Sequence, residues 1–257
     1  MNSFVAGFIV DFVLRYPSEK RTRTRWLKPL VAFADSNDPL FGVLKDAVGP
    51  DHLLPSDILS GARSVIAYFL PFDRSVAESN ASGREASPDW ALAYVETNAL
   101  ISELNSALAA ELERLGYRAA VIPPTHNFDR EKLMSSWSHR HAAYIAGLGK
   151  FGLNNMLITA RGCCGRLGTL VTDAPLEPTP REEGECCLYK LNGSCKSCIK
   201  RCVNGALAEG RYDRRKCYEM CRENAKRFDD LGSPEVCGKC MVGIPCSFER
   251  PTVGDAF

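Results

Sequence analysis

At 257 residues, 45% hydrophobic and 25% charged, the chain has room for one mid-sized domain plus a small one and is too apolar to be disordered over most of its length. Its net charge of +1 excludes a global attraction to nucleic acid. No run of 18 or more uncharged apolar residues occurs, so no membrane span is expected; the apolar start, residues 1–13, has no basic leader and carries Asp11, which reads as an amphipathic helix in a cytoplasmic protein.

The predicted elements follow in chain order. Residues 4–15 form a helix, and Arg21, Arg23, Arg25 and Lys28 then cluster around Trp26, either as a solvated helix start or as a patch for phosphates or an acidic partner. Asp38-Pro39 opens a second helix that runs to about residue 48. Residues 64–70, Ser-Val-Ile-Ala-Tyr-Phe-Leu, are a near-continuous β-favouring run ended by Pro71 and predict a buried central strand. Residues 75–87, rich in Ser, Ala and Glu, read as a mobile loop. The longest helix spans 89–115 and stops at Gly116. A strand at 117–122, a helix at 138–146 with Ser138 as its N-cap, and strands at 156–159 and 167–172 complete this region. A Pro- and Glu-rich stretch from Pro175 to Glu185 reads as a linker. Few strands between long helices give an α+β class, with domains at 1–175 and 176–257.

Within the first domain, His126, His139 and His141 gather within 16 residues, beside Asp129. On a helix His139 and His141 point in different directions and cannot form an i, i+4 metal pair. Proton donation competes there with a helix-capping, carbonyl-satisfying role. Gly147-Leu-Gly149-Lys-Phe-Gly152 matches G-x-G-x-x-G, but a helix precedes it and a strand follows, the reverse of a dinucleotide site. The glycines still permit close approach to a flat or bulky ligand, and Asn154-Asn155 add amide groups to the same wall. Adjacent Cys163 and Cys164 suit a structural or redox-side role.

Ten of the 12 cysteines lie between Cys186 and Cys246, in a region too poor in apolar residues to fold without metal. The bacterial ferredoxin run is C-x2-C-x2-C-x3-C, and its fourth cysteine ligates the other cluster. Cys195, Cys198 and Cys202 keep the last three places; the first falls on Asn192, so its thiolate comes from Cys187 or Cys186. The crossing rule then assigns Cys187, Cys195, Cys198 and Cys246 to one [4Fe–4S] cluster and Cys202, Cys217, Cys237 and Cys240 to the other, with Cys221 in reserve for Cys217. Zinc held by C-x2-C knuckles and a disulfide framework are the competing readings.

In combination, residues 141–155 (His-Ala-Ala-Tyr-Ile-Ala-Gly-Leu-Gly-Lys-Phe-Gly-Leu-Asn-Asn), 170–177 (Leu-Val-Thr-Asp-Ala-Pro-Leu-Glu) and 202–207 (Cys-Val-Asn-Gly-Ala-Leu) resemble epoxyqueuosine reductase, an iron–sulfur and cobalamin enzyme of tRNA modification related to the reductive dehalogenases. Residues 54–68 are similar to its N-terminal strand entry, and the resemblance covers residues 53–246. It implies a nitroreductase-like α/β sandwich holding cobalamin, joined to a ferredoxin-like domain with two [4Fe–4S] clusters. It implies an electron donor of ferredoxin or flavodoxin type and a small-molecule or modified-nucleoside substrate. It also places Gly147, Leu148, Gly149, Phe151, Gly152, Asn154 and Asn155 along the cobalamin.

The family's D-x-x-P-x-x-E-R segment, with a proton-donating Asp, reads Leu133-Met-Ser-Ser-Trp-Ser-His139-Arg140 here. Its G-W-x-G-K loop has lost the Trp and the Lys, and Val203 replaces the proline after Cys202. No C-terminal helical repeats for holding tRNA are expected, so tRNA is not an expected partner. His126, Asp129 and His139 become the candidates for proton transfer. The alternatives are an electron-transfer protein without a substrate of its own, or a flavin reductase on the same fold.

Overall fold

The computed structural model describes residues 1–124 and 128–252; His126 lies outside them. The chain forms α1 (Asn2–Lys20), β1 (Leu30–Asp35), α2 (Leu40–Ala47), α3 (Pro55–Ile58), β2 (Ser64–Pro71), α4 (Arg74–Ser79), α5 (Pro88–Arg114) and β3 (Ala119–Val121). A small hairpin, β4 (Phe128–Asp129) with β5 (Met134–Ser135), precedes α6 (His139–Ile145), the hairpin β6 (Gly149–Phe151) and β7 (Leu157–Thr159), and β8 (Gly165–Thr172). The cysteine-rich part contains α7 (Leu188–Asn192), α8 (Ser197–Arg201), the β9 (Leu207–Ala208) and β10 (Arg211–Tyr212) pair, and α9 (Arg214–Arg227).

The main sheet runs β1-β2-β8-β3, every neighbour antiparallel. All eight residues of β2 are buried, and the reason is a helix layer on each face. Successive side chains on a strand point to opposite faces. Ile66, Tyr68 and Leu70 accordingly meet α1 and α5 through Val5, Ile9, Leu100 and Leu104. Val65, Ala67 and Phe69 join Phe41 and Leu44 of α2 and Ala142 and Ile145 of α6. The mixed α and β class read from the sequence stands.

One polar group is sealed into this core. Asn105 of α5 is fully buried; its Oδ1 accepts from Tyr68 Oη at 2.8 Å, and its Nδ2 donates to Thr169 O at 3.2 Å and Ile122 O at 3.3 Å. It therefore ties α5 to the β2, β8 and β3 side of the sheet.

Four local readings change. β1 is a strand that the sequence did not announce, because Ala32 and Ala34 carry little β signal and gain their place by burial under α2. The stretch at 75–87 is no mobile loop. Asp73 caps α4 by accepting from Ser75 N, Val76 and Ala77 are buried, and Asn80 and Ala86 are hydrogen-bonded to the cysteine-rich part. The 175–185 stretch is strapped along β1: Thr179 N donates to Phe33 O at 2.9 Å and Phe33 N to Thr179 Oγ1 at 3.0 Å, covering an otherwise open sheet edge. Trp26 is buried and donates to Thr97, and Arg23 pairs with Asp89, so this basic cluster belongs to the fold.

Replacing Asn105 with Leu strands three buried polar groups and is expected to destabilise the protein by about 2–4 kcal/mol. That would lower an anaerobic thermal midpoint by roughly 5–10 °C. A midpoint within about 1 °C of wild type would show that this network does not hold the sheet.

Candidate functional site

The cysteine-rich part has a minimal core of its own, built on Cys198, Leu207 and Ile244. Its thiols fall into two neighbourhoods. Cys198 is pushed up to about 12 by burial and then by the charges of Cys246, Cys187 and Cys195. Cys240 is raised by burial and then by Cys237, Cys217 and Cys202. Cys198 is the last thiol acting on Cys240, so the two neighbourhoods adjoin.

The reserve cysteines also find places. Cys186 feels Arg250, Glu182 and Lys150 but no thiol. Cys221 lies one helical turn from Cys217 and bonds to it, raising Cys221 and holding Cys217 down. Backbone N–H groups of Ala206 and Leu207 point at Cys202 Sγ, at 3.2 and 3.4 Å, as they would at a charged sulfur. Cys163 and Cys164 are buried against this part: Cys163 contacts Cys246, and Cys164 Sγ donates to Met241 O at 3.0 Å. Among the described residues, no three His, Cys, Asp or Glu side chains converge closely enough to share one metal ion.

Between the sheet and the second thiol neighbourhood lies a cleft of about 850 Å³. Its floor is apolar and largely aromatic, with Phe69, Phe72, Trp90, Trp137 and Leu167. Cys217, Cys221 and Cys237 form one wall. Gly238 lets that wall close: its φ is +70°, and a Cβ there would sit 2.3 Å from the Trp90 ring. Two arginines reach in from the other sides. Arg166 stacks on Tyr94 at 4.2 Å and donates to Asn98 Oδ1; Arg140 donates to Asn155 O at 2.6 Å and has its pKa lowered by burial, against the pull of Tyr212 and Cys217. Tyr212 lies against Cys217 and helps hold its thiol down.

Of the loop residues, Phe151 and Asn155 line the cleft. Gly149 and Gly152 are required by their own hairpin, since a Cβ on Gly149 would meet Ile158 O at 2.2 Å and one on Gly152 would meet Asn154 Oδ1 at 2.8 Å. Asn154 is buried and donates to Cys240 O at 2.9 Å. Gly147 lies against the strap at Pro180, and Leu148 is buried in the α2–α6 core.

Among the proton-transfer candidates, His139 lines the cleft and Asp129 does not. Asp129 is exposed and ionised, accepting from Glu131 N and Lys132 N in the hairpin turn. Ring nitrogen Nε2 of His139 lies 2.9 Å from Pro123 O, which can only accept. Nε2 thus carries the hydrogen, and Nδ1 accepts from Thr169 Oγ1 at 2.8 Å, while Thr169 in turn accepts from Trp137 Nε1.

His141 was the less obvious neighbour. Ser138 Oγ accepts its backbone N–H and lies 2.7 Å from Nδ1, so Ser138 occupies Nδ1 and leaves Nε2 as the ring's open nitrogen. That Nε2 has no hydrogen-bond partner among the described residues, and the ring lines the cleft against Phe151 at 4.8 Å. The sequence signal was the Ser138 cap three residues earlier. Tyr212 and Arg166 carried no sequence signal.

In sequence, the chain is similar to epoxyqueuosine reductase from Bacillus anthracis (28% identity over 172 residues) and to that from Francisella cf. novicida (24% over 174 residues). These matches take in 63% and 66% of the chain but only 41% and 46% of those enzymes, so the chain spans less than half the length of the curated relatives it matches. In fold it is similar to epoxyqueuosine reductase from Streptococcus thermophilus (TM-score 0.56, 16% identity, 93% of this chain and 67% of that one). It is also similar to an epoxyqueuosine reductase solved with an epoxyqueuosine-modified tRNA-Tyr stem loop (0.56, 19%, 96% and 66%) and to a catabolic reductive dehalogenase (0.59, 19%, 88% and 31%). No protein-family profile matches the chain. The resemblance read from the motifs therefore holds, at the distance of a divergent relative.

Burial first, then Arg140, His52 and Arg214, lower the His141 pKa to about 4. With a folded value below the unfolded one of about 6.5, neutral His141 stabilises the fold above that pH, and this contribution is lost as pH falls through about 4. Its ring-proton NMR signals are expected not to titrate from neutrality down to about pH 5, and a midpoint near 6.5 would place the ring in solvent instead.

Proposed function

We propose that this divergent relative of the epoxyqueuosine reductases is an iron–sulfur reductase in which two [4Fe–4S] clusters lead electrons to a cobalamin held in the cleft. One observation carries the reading: the thiols separate into two neighbourhoods, and the second forms a wall of the cleft. Residues 1–175 would be the nitroreductase-like cofactor domain and 176–257 the ferredoxin-like domain. Cys187, Cys195, Cys198 and Cys246 would hold the first cluster, and Cys202, Cys217, Cys237 and Cys240 the second. This is the grouping that the mutual charges support. One zinc needs all its ligand sulfurs about 2.3 Å away, closer together than these thiols come, whereas a cubane takes one thiolate per iron.

When bound, the clusters and cobalamin would supply one-electron transfer and a strongly reducing metal centre. The chain's own residues do the rest. The aromatic floor takes a flat ring and excludes water, which strengthens the polar contacts made at its edges. Arg140 and Arg166 are fixed cations for acidic substituents, and Tyr212 sits against Cys217 on the cleft wall. His141 presents a neutral ring with Nε2 open to a ligand, and His139, linked through Thr169 to Trp137, is the candidate for proton transfer. The donor would be of ferredoxin or flavodoxin type, and the substrate a small molecule or modified nucleoside. Among the described residues no helix is long and apolar enough to cross a membrane, consistent with a proposed cytoplasmic site of action.

Anaerobic purification from cells supplied with cobalamin, followed by metal analysis, tests this directly. About eight irons and about one cobalt per chain are expected, and Cys198→Ala should lose about four irons. Iron without cobalt would shift the function to electron transfer or a flavin; zinc without iron would end the redox reading. His139→Ala is expected to keep both metals and slow turnover by about 10²-fold or more; an unchanged rate would remove it from proton transfer.

A further inference from the structure

Beside the cleft, a second cavity of about 430 Å³ is lined by the β4–β5 turn and by the chain from β10 into α9. Its cations are Lys132, Arg211, Arg214 and Arg215, and its carboxylates are Glu131 and Asp213. Lys132 is committed to Asp51 at 2.9 Å, and Asp213 is committed to capping α9 through Lys216 N. Arg23, Arg84, Arg118 and Arg130 elsewhere each meet a carboxylate. Among the described residues Arg211, Arg214 and Arg215 make no side-chain hydrogen bond or ion pair. All three are exposed and solvated, and three uncompensated guanidinium groups on one concave surface make a positive potential that an anion with several oxygens can bridge.

Leu133, Tyr212 and Arg214 line both the cavity and the cleft. The charge of Arg214 is felt by Arg140 and His141 within the cleft. Leu133 holds a left-handed φ of +52° at this shared wall, a conformation costly for a branched side chain. Two features separate a bound small molecule from a docked partner. The cavity joins the cleft through Leu133, Tyr212 and Arg214, whereas Cys187 and Cys195 line neither space and are left for a donor. And Glu131 and Asp213 lie among the cations of the cavity while Glu219 and Glu223 follow on α9, so the basic surface is a spot and not a track for a polyanion.

Taking the cleft as the reducing site proposed above, we propose that this cavity binds the phosphoryl group of an anionic, small-molecule substrate. Arg211, Arg214 and Arg215 would hold the phosphoryl group, and the substrate's reacting end would lie past Tyr212 in the cleft. The substrate class is thus a phosphate ester with a reducible head group.

Inorganic pyrophosphate is the probe, titrated calorimetrically into the full-length, cluster-loaded protein at low salt. Saturable one-to-one binding is expected, weakened at least tenfold in the Arg214→Gln/Arg215→Gln double variant and unchanged in Arg15→Gln on α1. Iron content confirms that each variant is folded. Equal affinity in wild type and double variant, or no saturable binding, overturns the proposal. So does loss of cobalt from the double variant together with blockage of pyrophosphate by bound cobalamin, because the phosphate would then be the cofactor's. Slower cluster reduction by flavodoxin at unchanged pyrophosphate affinity would make the arginines a donor-docking surface and also overturn it. Cobalt-free protein that still binds pyrophosphate through these arginines would support the cavity while removing the cobalamin reading.

Discussion

A cysteine-rich segment whose own core is built on Leu207, Ile244 and Cys198 cannot hold itself together, and the structure depends on how it leans on the sheet domain. Much of the junction is made of buried polar bonds. Asn80 Nδ2 donates to Cys237 O, Asn154 Nδ2 to Cys240 O, and Asn224 accepts from Ala86 N while donating to Val236 O. Lys239, only 1% exposed, sends its ammonium to Asn80 O and Ser82 O at 3.0 and 2.6 Å. Burial lowers its pKa, and the charge that most opposes this is Cys237, ahead of Glu85. A buried cation bonded to neutral carbonyls gains most when its neighbouring thiol is ionised, so whatever ionises Cys237 also strengthens the docking of the two regions.

The cleft is a consequence of that junction. The residues that line it come from β2, α5, α6, β8 and the cysteine-rich wall, and no single element contains enough of them to make a site. Its chemistry is divided in the same way. Aromatic floor and histidines come from the sheet side, while the sulfur groups and Tyr212 come from the other. Cys217, Cys221 and Cys237 line the cleft directly, with no layer of protein between these sulfurs and its interior.

Several elements were legible because their signals are local. β2 announced itself by a near-continuous β-favouring run at residues 64–70, α5 by its length and the Gly116 stop, and α6 by the Ser138 cap. The strand β1 and the helix α4 were not legible: Ala-rich or Ser-rich stretches take their conformation from what covers them. The strap at 175–185 looked like a linker for the same reason, since its order comes from Phe33, Asp38 and Ser64, which are distant in sequence.

By itself the sequence determined the α+β class, the density and order of the thiols, and the likeness to a family of reductases, because spacing and composition are properties of the chain. The tertiary structure decided which thiols share a neighbourhood and set Cys187 rather than Cys186 beside Cys198. It moved Asp129 out to solvent and brought His141, Arg166 and Tyr212 onto one cleft. Those choices depend on burial and on contacts between residues far apart in the chain, which no local pattern encodes.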